Sequence, residues 1–213
     1  MTTRASDGKV YSLLFAGVGG QGVLLGAEIT ALAAVSEGYD VKQTEVHGVS
    51  QRGGSVETHV RFGAKVWSPV VTPGKADLVV GLEALEALRF AHFAHLQEGA
   101  ILVNEHEIIP GSVKDAEQDY PHGSVEFIRS KGYRVLALEA SRLARDLGDG
   151  RMANVVMVGA ASTLLPISHE TWLETLRRRI PERYRQLNLE AFAAGRVAAA
   201  DAGALRAPQT ERS

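Results

Sequence analysis

The sequence predicts an α/β fold: a Rossmann-like open sheet with flanking helices and a helical C-terminal third. Three observations predict it. Strand-like and helix-like stretches alternate through most of the chain. A glycine-rich turn at residues 17–22 stands directly between an apolar strand pattern and a helical one. After Met152 the patterns are helical alone.

Residues 11–16 are apolar and read as the first strand. After the glycine turn, residues 23–37 read as a helix with Leu24, Leu25, Ile29, Leu32, Ala33 and Val35 on its apolar face, ended by Gly38. Residues 40–45 form a short second strand, and 46–54 are polar with three glycines, hence a loop. Residues 55–62 alternate, with Val56, Thr58, Val60 and Phe62 on one face, as a half-buried strand does. Residues 66–71 are a candidate edge strand interrupted by Pro69. Residues 76–81 read as a buried strand, 82–95 as a helix and 100–104 as another buried strand. Residues 105–122 carry Pro110 and Pro121 and are irregular. A short helix at 125–131, a strand at 133–138 and a helix at 140–147 follow. Residues 152–165 are mostly apolar, read as a buried helix and stop at Pro166. Ser168 then caps a helix through Arg179, and Pro181 opens a last helix through about Ala202.

The chain has 213 residues and shows no repeat, linker or low-complexity tract, so residues 1–213 are expected to form a single domain with a core of 10–200. A net charge of −2 supplies no basic field for nucleic acid or an anionic membrane. No apolar run approaches the roughly 20 residues of a membrane span. Residues 1–9 lack the apolar centre of a secretory signal, which makes the cytoplasm the expected location. The cysteine count is zero. That excludes disulfides, a thiolate-held iron–sulfur cluster and a cysteine zinc site in this chain. If the protein takes part in electron transfer, another chain carries the electrons.

Gly17-Val18-Gly19-Gly20-Gln21-Gly22 fits G-x-G-x-x-G between a strand and a helix. Glycines permit a tight turn, and the N–H groups at a helix start attract an anion. Glu45 stands where the ribose-binding carboxylate of a dinucleotide site is expected, about 20 residues on. One reading is therefore an independent NAD(P)-binding Rossmann oxidoreductase. The same geometry serves any phosphate, including those of coenzyme A, and the glycines could also serve packing alone.

Glu45-Val46-His47-Gly48-Val49-Ser50-Gln51-Arg52-Gly53-Gly54 is denser in chemistry than a turn needs. Arg52 offers a bidentate fork for phosphate or carboxylate. The plain alternative is a surface loop in which Arg52 pairs with Glu45. Glu45, His47 and Ser50 lie too close in one loop to form a catalytic triad.

These two loops together resemble the paired signature of the gamma subunit or domain of 2-oxoacid:ferredoxin oxidoreductases. The same resemblance runs through Trp67-Ser68-Pro69, Ala76-Asp77-Leu78, the stretch from Glu83 to Arg89, the stretch from Asn154 to Ala160, and Asn188 with Ala191, Phe192 and Gly195. It covers residues 10–200, and within the family it is nearest the indolepyruvate type. The resemblance implies a small accessory subunit that binds no cofactor alone and is inactive by itself. A larger partner subunit would hold thiamine diphosphate and iron–sulfur clusters and pass electrons to ferredoxin. Coenzyme A would be contacted by this chain through Gly17, Gly19, Gly20, Gln21, Gly22, Glu45, His47, Ser50, Gln51, Arg52, Gly53 and Asn154. The isolated chain is open to self-association as a homodimer.

Other features carry less. Gly148-Asp149-Gly150 begins like a thiamine diphosphate motif, but the paired asparagines expected farther on are missing, so it reads as a turn. His92 with His95, and Glu105-His106-Glu107, lack a further ligand at metal-binding spacing. Arg177, Arg178 and Arg179 form a basic run that reads as a solvated face. Asn154 opens the apolar helix, either as its cap or as a ligand contact. No catalytic residue and no metal ligand is assigned.

Overall fold

A computed structural model describes residues 8–47, 54–108 and 120–204, with the side chains of residues 45–47 and 204 outside the description. Among the described residues the elements are strand β1 (Val10–Val18), helix α1 (Val23–Ser36), β2 (Asp40–His47), β3 (Ser55–Gly63) and β4 (Leu78–Gly81). There follow α2 (Ala84–Phe90) with a 3-10 turn at Ala91–Phe93, β5 (Ala100–Asn104), α3 (Ser124–Ser130), β6 (Val135–Leu138) and α4 (Ala140–Asp146). A 3-10 turn at Gly150–Met152 leads into α5 (Ala153–Ser162), α6 (His169–Arg179) and α7 (Glu182–Ala204).

The strands form one sheet in the order β2-β3-β1-β4-β5-β6. β1, β4, β5 and β6 run parallel, while β3 is antiparallel to both β1 and β2. The carboxyl ends of the four parallel strands therefore share one edge, where an open α/β sheet places its ligands. One core cluster lies under α1 and α4–α7 and includes Phe15, Phe62, Met157, Trp172 and Phe192. The other lies under α2 and α3 and includes Leu14, Val79, Ile101 and Ile128.

The alternation at 55–62 is real: Val56, Thr58, Val60 and Phe62 are buried. β1 is longer than its apolar run because β3 pairs along its whole length, from Val10 with Gly63 to Val18 with Ser55. β2 extends through Val46 and His47, expected as loop, because these pair with Glu57 and Val56. Residues 66–71 form no strand. Side chains hold them instead: Val66 N–H donates to Asp40 Oδ2 at 3.0 Å and Val71 N–H to His59 Nδ1 at 3.0 Å. The helix expected at 82–95 starts at Ala84, because Glu83 is extended and caps it, and its end tightens into the 3-10 turn. The buried helix is shorter than the apolar run, at Ala153–Ser162. Ser168 caps α6 as expected, its Oγ accepting Thr171 N–H at 3.2 Å.

α1 turns its face differently from the expectation. Leu32 and Val35 are 39% and 56% exposed, while Gly26, Ala27, Thr30, Ala31 and Ala34 are buried. Ile29 and Ala33 of the expected face are buried, and the small residues let this helix lie close to the sheet and to α5; Leu32 and Val35 fall on its outer side.

Candidate functional site

β1 ends at Val18, and the glycine turn is built largely from its own backbone and one side chain. Gln21 folds back: its Oε1 accepts Val18 N–H at 2.7 Å, and its Nε2 donates to Leu82 O at 2.9 Å. Its amide is thus engaged in closing the turn and tying it to the segment after β4. Gly20 and Gly22 hold φ of 101° and 79°, which L side chains avoid. Gly22 stands at the cap position of α1, and the next N–H groups have no acceptor within the helix. With the helix dipole they form a site for an anion.

Asn154 is the second residue of α5, and Met152 holds the cap position, so the expected cap is displaced. Its Nδ2 donates to Gly22 O at 3.3 Å and its Oδ1 accepts Val155 N–H at 2.9 Å. A Cβ on Gly22 would overlap this amide. Asn154 therefore joins the starts of α1 and α5, 132 residues apart in sequence.

Ser50, Gln51, Arg52 and Gly53 lie outside the described residues. Glu45 and His47 lie on β2, paired through the backbone with Thr58 and Val56. The loop's far flank is fixed. Gly54 O accepts Gly19 N–H at 2.9 Å, and Ser55 pairs with Val18. The structure thus brings the glycine turn against the end of the second loop.

A cleft of about 220 Å³ opens at this edge of the sheet. Of the expected residues, Gly20, Gln21 and Asn154 line it, together with Asn104, His106, Ser141 and Arg151, which sequence reasoning missed. Asn104 ends β5 and is almost wholly buried. It donates to Leu82 O at 3.0 Å and to Ser141 Oγ at 2.9 Å, and accepts Ser141 N–H at 3.2 Å. A polar residue closing an otherwise apolar strand was the available signal. Arg151 is engaged by Asp149, with Nη2 to Oδ2 at 2.6 Å, which holds the Asp149 carboxyl below its usual range. Gly148-Asp149-Gly150 is indeed a turn, and its carboxylate serves this arginine. The cleft can receive a small polar or anionic group, and much of its polar lining is already bonded within the chain.

The part of the lining formed by His106 and Ile108 hangs from the start of α2. Ala84 N–H donates to His106 O at 3.1 Å, and Ile108 N–H donates to Glu83 Oε1 at 3.2 Å. Among the described residues no group of three histidines or carboxylates lies close enough to hold a metal. His92 and His95 turn instead to nearby backbone. No helix of the described residues is long and apolar enough to cross a membrane. A larger groove of about 430 Å³ lies at the opposite end of the sheet, beside Ala100, Val135 and Ala199, away from the glycine turn.

Residues 12–198 match the family model described as pyruvate ferredoxin/flavodoxin oxidoreductase. The chain is 37% identical over 196 residues to indolepyruvate oxidoreductase subunit IorB of Thermococcus kodakarensis, covering 90% of this chain and 96% of that protein. The keto/oxoacid ferredoxin oxidoreductase gamma subunit of Geobacter sulfurreducens superposes with a TM-score of 0.67 at 25% identity, over 90% of this chain and 99% of its own. The 2-oxoglutarate:ferredoxin oxidoreductase of Magnetococcus marinus, solved with 2-oxoglutarate, coenzyme A and succinyl-CoA, shares the fold. It gives a TM-score of 0.71 at 23% identity over 91% of this chain and 31% of that one. The independent NAD(P) reading finds no support among these proteins. The topology also counts against it: β3 lies between β1 and β2, so Glu45 sits two strand spacings, about 10 Å, from β1.

Proposed function

We propose a function from one premise: the chain belongs to the pyruvate ferredoxin/flavodoxin oxidoreductase family. It acts as the small accessory subunit of a thiamine-dependent 2-oxoacid:ferredoxin oxidoreductase. The substrate is indolepyruvate or a similar arylpyruvate, and the product is the acyl-coenzyme A. A larger partner subunit carries thiamine diphosphate and the iron–sulfur clusters, and ferredoxin takes the electrons through the complex. The cytoplasm is the compartment this assigns.

The observation that carries the reading is the end-to-end kinship with indolepyruvate oxidoreductase subunit IorB. The chain's lack of cysteine supports the division of labour, since clusters need thiolates. The size of the cleft supports it too. Complete small-molecule sites occupy about 300–1,000 Å³, so a cleft of about 220 Å³ fits one end of coenzyme A and leaves the remainder to other surfaces.

In this reading the N–H groups that follow Gly22 at the start of α1 hold a phosphate, with Asn154 fixing the helix starts around it. Gly17, Gly19 and Gln21 shape the turn. Glu45, His47, Ser50, Gln51, Arg52 and Gly53 supply the second wall, with Arg52 the bidentate partner of an anionic group. Coenzyme A, when bound, supplies the thiol that takes the acyl group.

Co-expression with a larger thiamine- and cluster-bearing subunit, followed by assay of several 2-oxoacids with a one-electron acceptor, tests the proposal. A stable complex that needs coenzyme A and prefers arylpyruvates is expected. Absence of any complex would overturn the accessory role. Preference for pyruvate would correct only the substrate.

A further inference from the structure

Two glutamates at the start of α2, the cap Glu83 and Glu86 in the first turn, are buried: Glu83 is 1% and Glu86 3% exposed. Buried carboxylates are costly unless partnered, and burial raises the Glu86 pKa despite its Ser55 and Arg89 contacts. An ordinary helix cap needs one such residue, and Glu83 already fills that place by accepting Glu86 N–H at 2.8 Å.

The remaining partners of the two carboxylates lead to two different parts of the cleft's surroundings, the His106–Ile108 segment and the glycine turn. Glu83 Oε1 accepts Ile108 N–H and the Tyr120 hydroxyl, and Tyr120 Oη in turn accepts Leu85 N–H at 3.1 Å. With Ala84 N–H on His106 O, these bonds fix the wall formed by His106 and Ile108. Glu86 Oε2 accepts the hydroxyl of Ser55, while its Oε1 lies 3.3 Å from Arg89 Nε. Ser55 is the first residue of β3; the preceding residue, Gly54, accepts the N–H of Gly19. A short chain therefore runs from Glu86 through Ser55 and Gly54 to the glycine turn.

We infer that Glu83 and Glu86 are positioning residues, which hold the glycine turn and the His106–Ile108 wall at a fixed separation so that the cleft accepts its ligand. The inference rests on the proposed coenzyme A role. It assigns work to two residues that touch no ligand themselves and that lie in the Glu83–Arg89 stretch.

The tests use Ser55→Ala, which removes only the hydroxyl, and Ser55→Thr, which restores it. In the assembled complex, Ser55→Ala is expected to raise the KM for coenzyme A about five-fold or more while kcat stays within about two-fold. Its Tm should stay within about 2 °C of the parent, and Ser55→Thr should recover the KM. In the free chain, amide hydrogen exchange at the start of β3 should quicken about ten-fold in Ser55→Ala and return in Ser55→Thr. An unchanged KM in a folded Ser55→Ala complex would overturn the inference, as would KM, kcat and Tm all deteriorating together, the mark of a merely structural bond. If the parent complex proves indifferent to coenzyme A, the functional reading fails by itself. The exchange measurement then still decides: unchanged exchange at β3 overturns the positioning role.

Discussion

Gly22 shows how much one residue can be asked to do. It adopts a left-handed backbone, caps α1 and leaves room for the Asn154 amide. Gly20 shares the positive φ, but an added Cβ there would meet nothing within 4 Å. Gly20→Ala should therefore cost only backbone strain, about 1–2 kcal/mol. Gly22→Ala adds a steric overlap and should cost roughly 3 kcal/mol. Urea unfolding of both variants, with unchanged slopes, checks the ranking; equal costs would mean that Asn154 yields freely. The G-x-G-x-x-G spacing was visible in the chain. The partner that makes its last glycine obligatory was not, because Asn154 is 132 residues away. Gln21 lines the cleft while its amide bonds to Val18 and Leu82, a role that depends on where β4 ends.

At the scale of elements, α5 and α7 approach until their backbones nearly touch. A Cβ on Gly159 would overlap the Phe192 carbonyl oxygen, and one on Gly195 the Val156 carbonyl oxygen. Either Gly→Ala change should push the helices apart and cost roughly 3 kcal/mol, read as a lower urea midpoint. The segment after β3 is held by a different device. Asp40 accepts Val66 N–H, and Lys42 and Lys65 lie beside it, so its carboxyl is held well below the usual range. A carboxyl with a depressed folded pKa stabilises the fold above its unfolded pKa and loses that contribution as pH falls. The parent should therefore lose stability as pH drops below about 4. Asp40→Asn should lack that portion of the acid loss and be weaker at neutral pH, as thermal melts across pH would record. The helices from Ala140 onward were legible from apolar spacing, Ser168 and Pro181. The absent strand at 66–71 was not, because the groups that satisfy it, Asp40 and His59, come from β2 and β3.

The two tryptophans report on the whole molecule. Trp67 is 85% exposed and Trp172 is fully buried in the core under α6 and α7. Acrylamide quenching of the free chain should divide into one accessible and one protected component; uniform quenching would contradict the packing of α6. The free chain should also be colourless and inactive with 2-oxoacids, since it has no cysteine for a cluster. Visible absorbance or turnover by the chain alone would contradict the accessory role.

The sequence by itself determined the α/β class, the position of the glycine turn, most element positions and the family, because these reside in local spacing and composition. Periodicity reports which residues are apolar within a few turns of chain, and a loop signature is contiguous. Only the tertiary structure decided that β3 runs antiparallel between β1 and β2. It alone decided that α1 turns Leu32 and Val35 outward and that Asn104, His106, Ser141 and Arg151 join the cleft. Strand order and helix rotation are set by which long-range pairing buries the most surface and satisfies the most backbone groups. Those contacts join residues tens to more than a hundred positions apart, and no local pattern in the chain encodes them.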